Sequence, residues 1–270
     1  MNTALHTLRI GSHTVEAALI AFDKDGLLFD SEVFLLELNR MRIIAMLRQG
    51  ACREFVSEWM LQLGVRFRFT QAGEPEMLGL RPDSPAIIAS VSEEVLVSAA
   101  FFAEHLRLPW SDARTLAEYV HAWADRHLDD ACAIRPHRGF PEIFRRLDAG
   151  GVPYGIVTLD SRERAVRVIS RYCHAENLSF ILSPSEVPRV KPEPDALLAL
   201  AERFSVPANR IVMVGDMYVD LQMARRAGAF SVGIPESEST RSRMEPFADV
   251  ICRSLDEITV ADGAACGGHP

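Results

Sequence analysis

The stretch Val15-Glu16-Ala17-Ala18-Leu19-Ile20-Ala21-Phe22-Asp23-Lys24-Asp25-Gly26-Leu27-Leu28-Phe29-Asp30-Ser31 decides how the rest of this chain is read. Its first half is almost wholly apolar, the pattern of a strand buried on both faces of a parallel sheet. Val15 to Phe22 are therefore expected to be scaffold. The run stops at two aspartates one residue apart, followed by glycine. Packing gives no reason to end a hydrophobic strand on paired carboxylates. In open α/β sheets, ligands bind just beyond the carboxyl ends of the strands. Asp23 and Asp25 are thus the candidate reaction centre. Lys24, between them, is expected to face the opposite way, because side chains alternate along a strand.

Before this stretch, Leu8 to His13 read as a short strand and turn, a small leading hairpin. After it the period changes. From Glu32 to Gln49 apolar residues recur at helical spacing, and a second amphipathic helix runs from about Cys52 to Leu63, closed by Gly64. A less regular stretch with Gly and Pro spans Val65 to Pro82. Two long helices are predicted next, Ser84 to Leu106 and Ser111 to Asp129. No central strand is expected between Glu32 and Ala133. From Ile134 strands and helices alternate again. The predicted strands are Pro153–Thr158, Ser179–Leu182, Arg210–Val214, Ala229–Ile234 and Asp249–Cys252. The helices between them are Pro141–Ala149, Ser161–Tyr172, Pro194–Phe204 and Tyr218–Ala227, and a short helix follows the last strand. That rhythm implies a Rossmann-like parallel sheet with helices on both faces. The fold class is α/β, with a discontinuous core, 1–31 and 135–270, and an inserted all-helical cap domain, 32–134. The small, Gly-rich segment 261–270 reads as a flexible tail.

Composition narrows the function. The chain has 270 residues, 48% hydrophobic and 24% charged, enough for a large core or two unequal domains. Its net charge of -8 argues against nucleic acid or an anionic membrane as the main partner, since both need a basic surface. A small phosphorylated metabolite is compatible, because a metal and one lysine can invert a local field. The five cysteines are scattered without a C-x-x-C pair, which fits a reducing cytoplasm rather than a disulfide or zinc framework. No signal peptide or membrane-spanning run is expected. The chain is read as a monomer or homodimer.

Three strand ends carry polar residues that a core would not choose. The first has Asp23 and Asp25. The second, Gly155 to Thr158, has Thr158. The third, Ile211 to Asp216, has Asp216, with Asp220 one helical turn on. Lys191 lies between the second and third, among Pro188, Pro192 and Pro194. Two like charges ~4 Å apart repel by several kcal/mol at intermediate dielectric. A divalent cation relieves such a cluster, and all-oxygen ligation suits Mg²⁺. Lys191 offers a compact positive charge to the same anion. Thr158 offers a hydroxyl, and amides at the following helix N-terminus accept phosphate oxygens. Asp220 has a second reading, as a helix N-terminal charge favoured by the dipole.

The set Asp23 to Ser31, Thr158, Lys191-Pro192 and Gly215 to Asp220 resembles the four motifs of the haloacid dehalogenase superfamily, in order along nearly the whole chain. The insert after Ser31 is similar to the cap of the subfamily that includes phosphoglycolate phosphatase and β-phosphoglucomutase. The resemblance implies that Asp23 is a nucleophile forming an aspartyl-phosphate, and that Asp25 is general acid and then base. It implies that Thr158, with the adjacent Leu159, and Lys191 bind the phosphoryl group. It implies that Asp23, the backbone carbonyl of Asp25, and Asp216 bind Mg²⁺, with Asp220 acting directly or through water. The activity it implies is Mg²⁺-dependent hydrolysis of a small phosphomonoester: a sugar phosphate, a phosphoglycolate-like acid or a nucleotide. A phosphosugar mutase is the alternative. A dehalogenase needs neither Asp25 as acid nor the ion, and a non-catalytic phosphate binder would not need the intact aspartates.

Several residues stand apart from the motifs. Leu159, Asp160 and Met217 replace residues that are often small, amide or hydroxylated in related phosphatases. Asp160 reads as a helix N-cap that points away from phosphate. Gly26 to Ser31 reads as the hinge of the cap. In the cap, Arg42, Arg66 and Arg68 are candidates to reach a substrate anion, though surface positions on helices and loops explain each of them more readily. Trp59, Phe101, Trp110, Tyr119 and Trp123 read as cap core.

Overall fold

A computed structural model describes residues 4–128 and 134–261. Along the chain, strands β1 (His6–Ile10) and β2 (His13–Ala17) precede β3 (Leu19–Phe22). Helices α1 (Ser31–Arg48) and α2 (Arg53–Leu63) follow, then strands β4 (Val65–Phe69) and β5 (Pro75–Leu80), then helices α3 (Pro85–Ile88), α4 (Val91–His105) and α5 (Trp110–His127). Next come α6 (Glu142–Ala149), β6 (Tyr154–Val157), α7 (Arg162–Ile169), β7 (Phe180–Leu182) and α8 (Asp195–Phe204). The chain continues through β8 (Ile211–Gly215), α9 (Tyr218–Ala227), β9 (Phe230–Gly233), α10 (Glu238–Met244), β10 (Val250–Ile251) and β11 (Ile258–Val260). Two-residue strands lie at Phe29–Asp30 and Arg135–Pro136. The chain forms two compact units, Met1–Phe29 with Arg135–Pro270, and Asp30–Ile134.

The first unit is α/β. Its six-stranded sheet has the order β10-β9-β8-β3-β6-β7, and every pair is parallel. The four residues of β3 are fully buried, as a central strand requires. Leu19, Ile20 and Phe22 each contribute about 1.5–3 kcal/mol by burial. After β3 the strand order runs outward to β7, then returns to the other side of β3 for β8. That reversal opens a crevice at the carboxyl ends, where open sheets bind ligands. On one face Leu19, Ala21, Ile211 and Met213 pack with Leu197 and Leu200 of α8 and with Met223 and Ala224 of α9.

The opening stretch is divided differently from its expected reading. Val15 to Ala17 belong to β2, which pairs antiparallel with β1, and only Ala18 separates β2 from β3. β11 completes this side sheet, pairing with β1 in the place where only a short closing helix was expected. Helix α10 was also not anticipated. Of the predicted tail 261–270, all but Ala261 lies outside the described residues, as does the end of the helix expected to reach Asp129.

The second unit is not all helical. Val65-Arg66-Phe67-Arg68-Phe69 alternate at period two and pair antiparallel with Pro75–Leu80. The helix expected over Ser84 to Leu106 is broken at Ala89–Ser90. There Ser90 and Glu93 form a capping box: the Ser90 hydroxyl accepts from the Glu93 N–H, and the Glu93 carboxylate accepts from the Ser90 N–H at 2.8 Å. Asp30 starts α1 by accepting the Glu32 N–H at 3.1 Å. The unit's core gathers Trp59, Phe101, Phe102 and Trp123. Trp110 and Tyr119, read as core, are exposed at 51% and 42%.

Candidate active site

Paired register brings three strand ends to one level. Phe22 pairs with Ile156 on one side and Val214 on the other. Asp23, Thr158 and Asp216 therefore leave the sheet within two residues of one another. Asp23 is anchored by its own N–H, which donates to the Val214 carbonyl at 2.9 Å. Thr158 donates its N–H to Leu182 at 3.0 Å, and its hydroxyl accepts the Asp160 N–H at 3.0 Å. Thr158, Leu159 and Lys191 line one small cavity.

Lys191 is the hub of the carboxylates. Its Nζ donates to Asp23 Oδ1 at 2.5 Å and lies 2.7 Å from Asp220 Oδ1. Asp220, in the first turn of α9, also accepts the Met217 N–H at 3.2 Å. Ligand atoms of Asp23, Asp216 and Asp220 lie within 4.8 Å of one another, and all three residues are buried. Asp216 Oδ1 is buried with no hydrogen-bond partner among the described residues. Such an orphaned carboxylate oxygen, beside two further carboxylates, could hold a hard divalent cation. Glycine makes the cluster sterically feasible. Gly26 has a φ of +86°, and a Cβ there would lie 2.1 Å from Asp216 Oδ2.

The electrostatics follow from burial and crowding. Loss of water, with Asp220 nearby, raises the Asp23 carboxyl above its ordinary pKa despite the opposing pull of Lys191. Asp216 is raised well above the ordinary value, by burial first and then by Asp23, Asp220 and Glu236. Burial alone would lower the Lys191 pKa, but Asp220 and Asp23 outweigh it and the net shift is upward. Asp25 is raised by burial, against the pull of Lys24.

Asp25 stands apart from the three-carboxylate group. Its side chain is 31% exposed, and its Oδ1 accepts a hydrogen bond from the Lys24 ammonium. Lys24 does not turn away from the aspartates as expected. Strand β3 ends at Phe22, so pleat alternation no longer governs residue 24. Lys24 is 1% exposed and reaches Asp160 Oδ2 at 3.0 Å. Asp160 is not the helix cap either. Ser161 holds that position, its hydroxyl accepting the Arg164 N–H at 3.2 Å. Asp160 instead faces inward, accepts the Ser161 N–H at 2.7 Å, and pairs with Arg164 Nε at 2.8 Å. Burial would raise its pKa, but Lys24 and Arg164 outweigh that and hold it below the ordinary value. The charged residues Lys24 and Asp160 were visible in the sequence one by one; their union was not.

The cap arginines have other occupations. Arg42 is buried and forms a two-pronged pair with Glu94 at 2.8 and 2.7 Å, so it is internal to its unit rather than a contact for substrate. Arg68 pairs with Glu76 across the β4–β5 hairpin at 2.7 Å. Arg66 is exposed on β4.

Residues 17–228 match the sequence pattern of the family described as haloacid dehalogenase-like hydrolase. Among curated proteins, N-acetylmuramic acid 6-phosphate phosphatase of Pseudomonas aeruginosa is 27% identical over 187 residues, covering 66% of this chain and 78% of the relative. Phosphoglycolate phosphatase of Escherichia coli K12 is 25% identical over 253 residues, covering 90% of this chain and 92% of the relative. Among solved structures, a predicted phosphoglycolate phosphatase of Haemophilus somnus aligns with a TM-score of 0.62 at 18% identity, over 88% of this chain and 94% of its own.

Proposed function

This chain belongs to the haloacid dehalogenase-like hydrolase family, and from that membership we propose that it is a Mg²⁺-dependent phosphatase of a small phosphomonoester. The observation that carries the reading is Lys191, buried and bridging Asp23 and Asp220 beside the unpartnered oxygen of Asp216. A positive charge fixed against a carboxylate nucleophile is poised for a transferring phosphoryl group. The named phosphatase relatives favour a sugar phosphate or a phosphoglycolate-like acid as substrate. A cytoplasmic setting agrees with the unpaired Cys52, Cys173 and Cys252.

In this mechanism Asp23 attacks phosphorus. The bond from phosphorus to the ester oxygen breaks, and a bond to the Asp23 carboxylate forms. Asp25 gives its proton to the departing alkoxide, which leaves as the alcohol. Asp25, now ionised, takes a proton from water as that water attacks the aspartyl-phosphate, which releases phosphate and restores both aspartates. Thr158 and Lys191 hold the phosphoryl oxygens through both steps. Asp23, Asp216 and the backbone carbonyl of Asp25 would hold the cation, with Asp220 beside them. When bound, the ion supplies charge neutralisation at the phosphoryl oxygens.

The test is phosphate release from a panel of p-nitrophenyl phosphate, 2-phosphoglycolate, hexose phosphates and nucleotides, with Mg²⁺ and with a chelator. Release is expected from at least one ester and only with the cation. Silence across the panel overturns the phosphatase reading; turnover indifferent to chelation overturns the cation. Isomerised sugar phosphate without net release would indicate a mutase instead.

Asp23 and Asp216 bind protons more tightly in the folded chain than in the unfolded one. The stability this brings is full below the unfolded carboxylate pKa and is lost as pH rises through the raised folded values. As pH rises the cluster ionises, and the cation-free fold weakens. Saturating Mg²⁺ is expected to raise Tm by roughly 5 °C at pH 8 and by less at pH 5. Protons and cation compete for the same oxygens, so half-saturation falls as pH rises. Calorimetry with and without Mg²⁺ at the two pH values checks this, and a pH-independent affinity would contradict it.

A further inference from the structure

We propose that Lys24 is a positioning residue for Asp25, holding that carboxyl group in place through a buried ionic chain anchored on the next strand. The inference rests on the phosphatase reading above and deepens it.

The chain can be followed atom by atom. The Lys24 ammonium donates to Asp25 Oδ1 and sits 3.0 Å from Asp160 Oδ2. Asp160 Oδ1 is held by Arg164 Nε at 2.8 Å and by the Ser161 N–H at 2.7 Å. The Asp160 N–H in turn donates to the Thr158 hydroxyl at 3.0 Å. Lys24, Asp160 and Arg164 are 1%, 7% and 4% exposed. Asp25 thus leaves the end of β3 yet is tied to the end of β6 and the first turn of α7, the segment that also carries Thr158.

Packing alone does not account for this arrangement. A buried ion pair is commonly no better for stability than apolar residues of similar volume. Here three charged side chains are buried in sequence, and the chain ends on a carboxyl group that is still a third exposed. Lys24 engages Oδ1 of that group and leaves Oδ2 for proton exchange. A lone aspartate at the start of a turn has free χ angles, and an acid displaced by 1 Å can lose about 100-fold in rate. The tether removes that freedom. It also sets Asp25 and Thr158 on one rigid segment, so the proton donor and the phosphoryl site keep a constant separation. Asp160, buried and held by Arg164 and the Ser161 N–H, is the anchor this tether needs.

The experiment compares two esters that differ in their need for a proton. An alkoxide cannot leave without one, whereas p-nitrophenolate leaves unaided. Values of kcat/KM report the step in which the ester bond breaks, so they isolate the acid role of Asp25. With Mg²⁺ saturating, Lys24→Met is expected to lower kcat/KM about 100-fold on 2-phosphoglycolate, or on whichever alkyl phosphate of the panel turns over fastest. On p-nitrophenyl phosphate the loss is expected to stay within about threefold. Asp160→Asn keeps Lys24 but weakens its second anchor. It is expected to show the same substrate dependence at about tenfold, and it supplies the test if the methionine protein does not fold. Equal losses on both esters would mark a structural role and overturn the proposal, as would an unchanged rate on the alkyl ester. A wild-type protein inactive on every ester would instead overturn the phosphatase reading, and this inference with it.

Discussion

Asp23→Asn is expected to stop turnover while leaving the protein folded and, without Mg²⁺, more stable. The amide has the shape of the carboxylate but is a far poorer nucleophile, so the covalent step is lost. A fall in kcat on the order of 10⁴-fold or more is expected, as when other covalent nucleophiles are removed. The stability effect has the opposite sign. Asp23 is buried, and its carboxyl is raised by loss of water and by Asp220. Neutralising it removes a repulsion that the cation-free fold bears whenever this carboxyl is ionised. Lys191 keeps Asp220 at 2.7 Å as a counter-ion, so no buried charge is stranded. Three measurements check the prediction: phosphate release, trapping of an acid-stable labelled enzyme from radioactive ester, and Tm in chelator. Wild-type protein should take up label and the variant should not. A variant turning over within about tenfold of wild type would remove Asp23 from the nucleophile role.

How far sequence reading reached depends on what each feature is made of. β3 was legible because a doubly buried strand is a continuous apolar run, and Leu19 to Phe22 are such a run. The same continuity hid the boundary with β2, because Ala17 and Ala18 carry no turn signal while the chain changes sheet. The alternation from Val65 to Phe69 signals the hairpin β4–β5, but the glycines and prolines around it are equally the signature of a loop. The break before α4 was likewise written in Ser90 and Glu93, a local signal overridden by the helical period around it. Helix α10, short and polar in the stretch Glu238 to Arg243, has no apolar stripe to betray it. Asp23, Thr158 and Asp216 stand out in the sequence as polar residues at strand ends, whereas Lys191, in a proline-flanked loop, and Asp220, in a first helical turn, enter only through the motif resemblance. The tether has no such signal. It joins Lys24 to Asp160 and Arg164 across two strand ends, and nothing in linear spacing says that a charged residue between two aspartates will turn onto one of them. Arg42 shows the same limit in reverse. Its charge suggested a ligand, but Glu94 on another helix already satisfies it.

Gly26→Ala should damage activity severely, although it removes no functional group. Two costs add. Residue 26 has a φ of +86°, a region that a Cβ penalises by roughly 1–2 kcal/mol. The new methyl would also meet the Asp216 side chain, 2.1 Å from Oδ2 and 2.7 Å from Cγ. The two cannot coexist, so the turn or the carboxylate must move. The turn is held by Gly26 N–H donating to the Phe29 carbonyl at 2.8 Å and by the Leu28 N–H on the Lys24 carbonyl at 3.0 Å. Asp216, whose Oδ1 lacks a partner among the described residues, has less to hold it. The carboxylate is therefore the group expected to yield, and with it the cation site. The expected readout is a rise of at least tenfold in the Mg²⁺ needed for half-maximal rate. A loss in kcat/KM of about 10²- to 10³-fold should accompany it, from misplacement at a site where 1 Å matters. Tm in chelator should fall by only a few degrees, because the clash touches one turn and one side chain rather than the core. Titrating Mg²⁺ against rate for wild type and variant separates this from general damage. If the variant keeps wild-type Mg²⁺ dependence and loses only stability, the turn rather than the Asp216 carboxylate has yielded, and the prediction fails. If rate is recovered by raising Mg²⁺, the glycine is shown to matter because it leaves room for the Asp216 carboxylate to take its place beside Asp23.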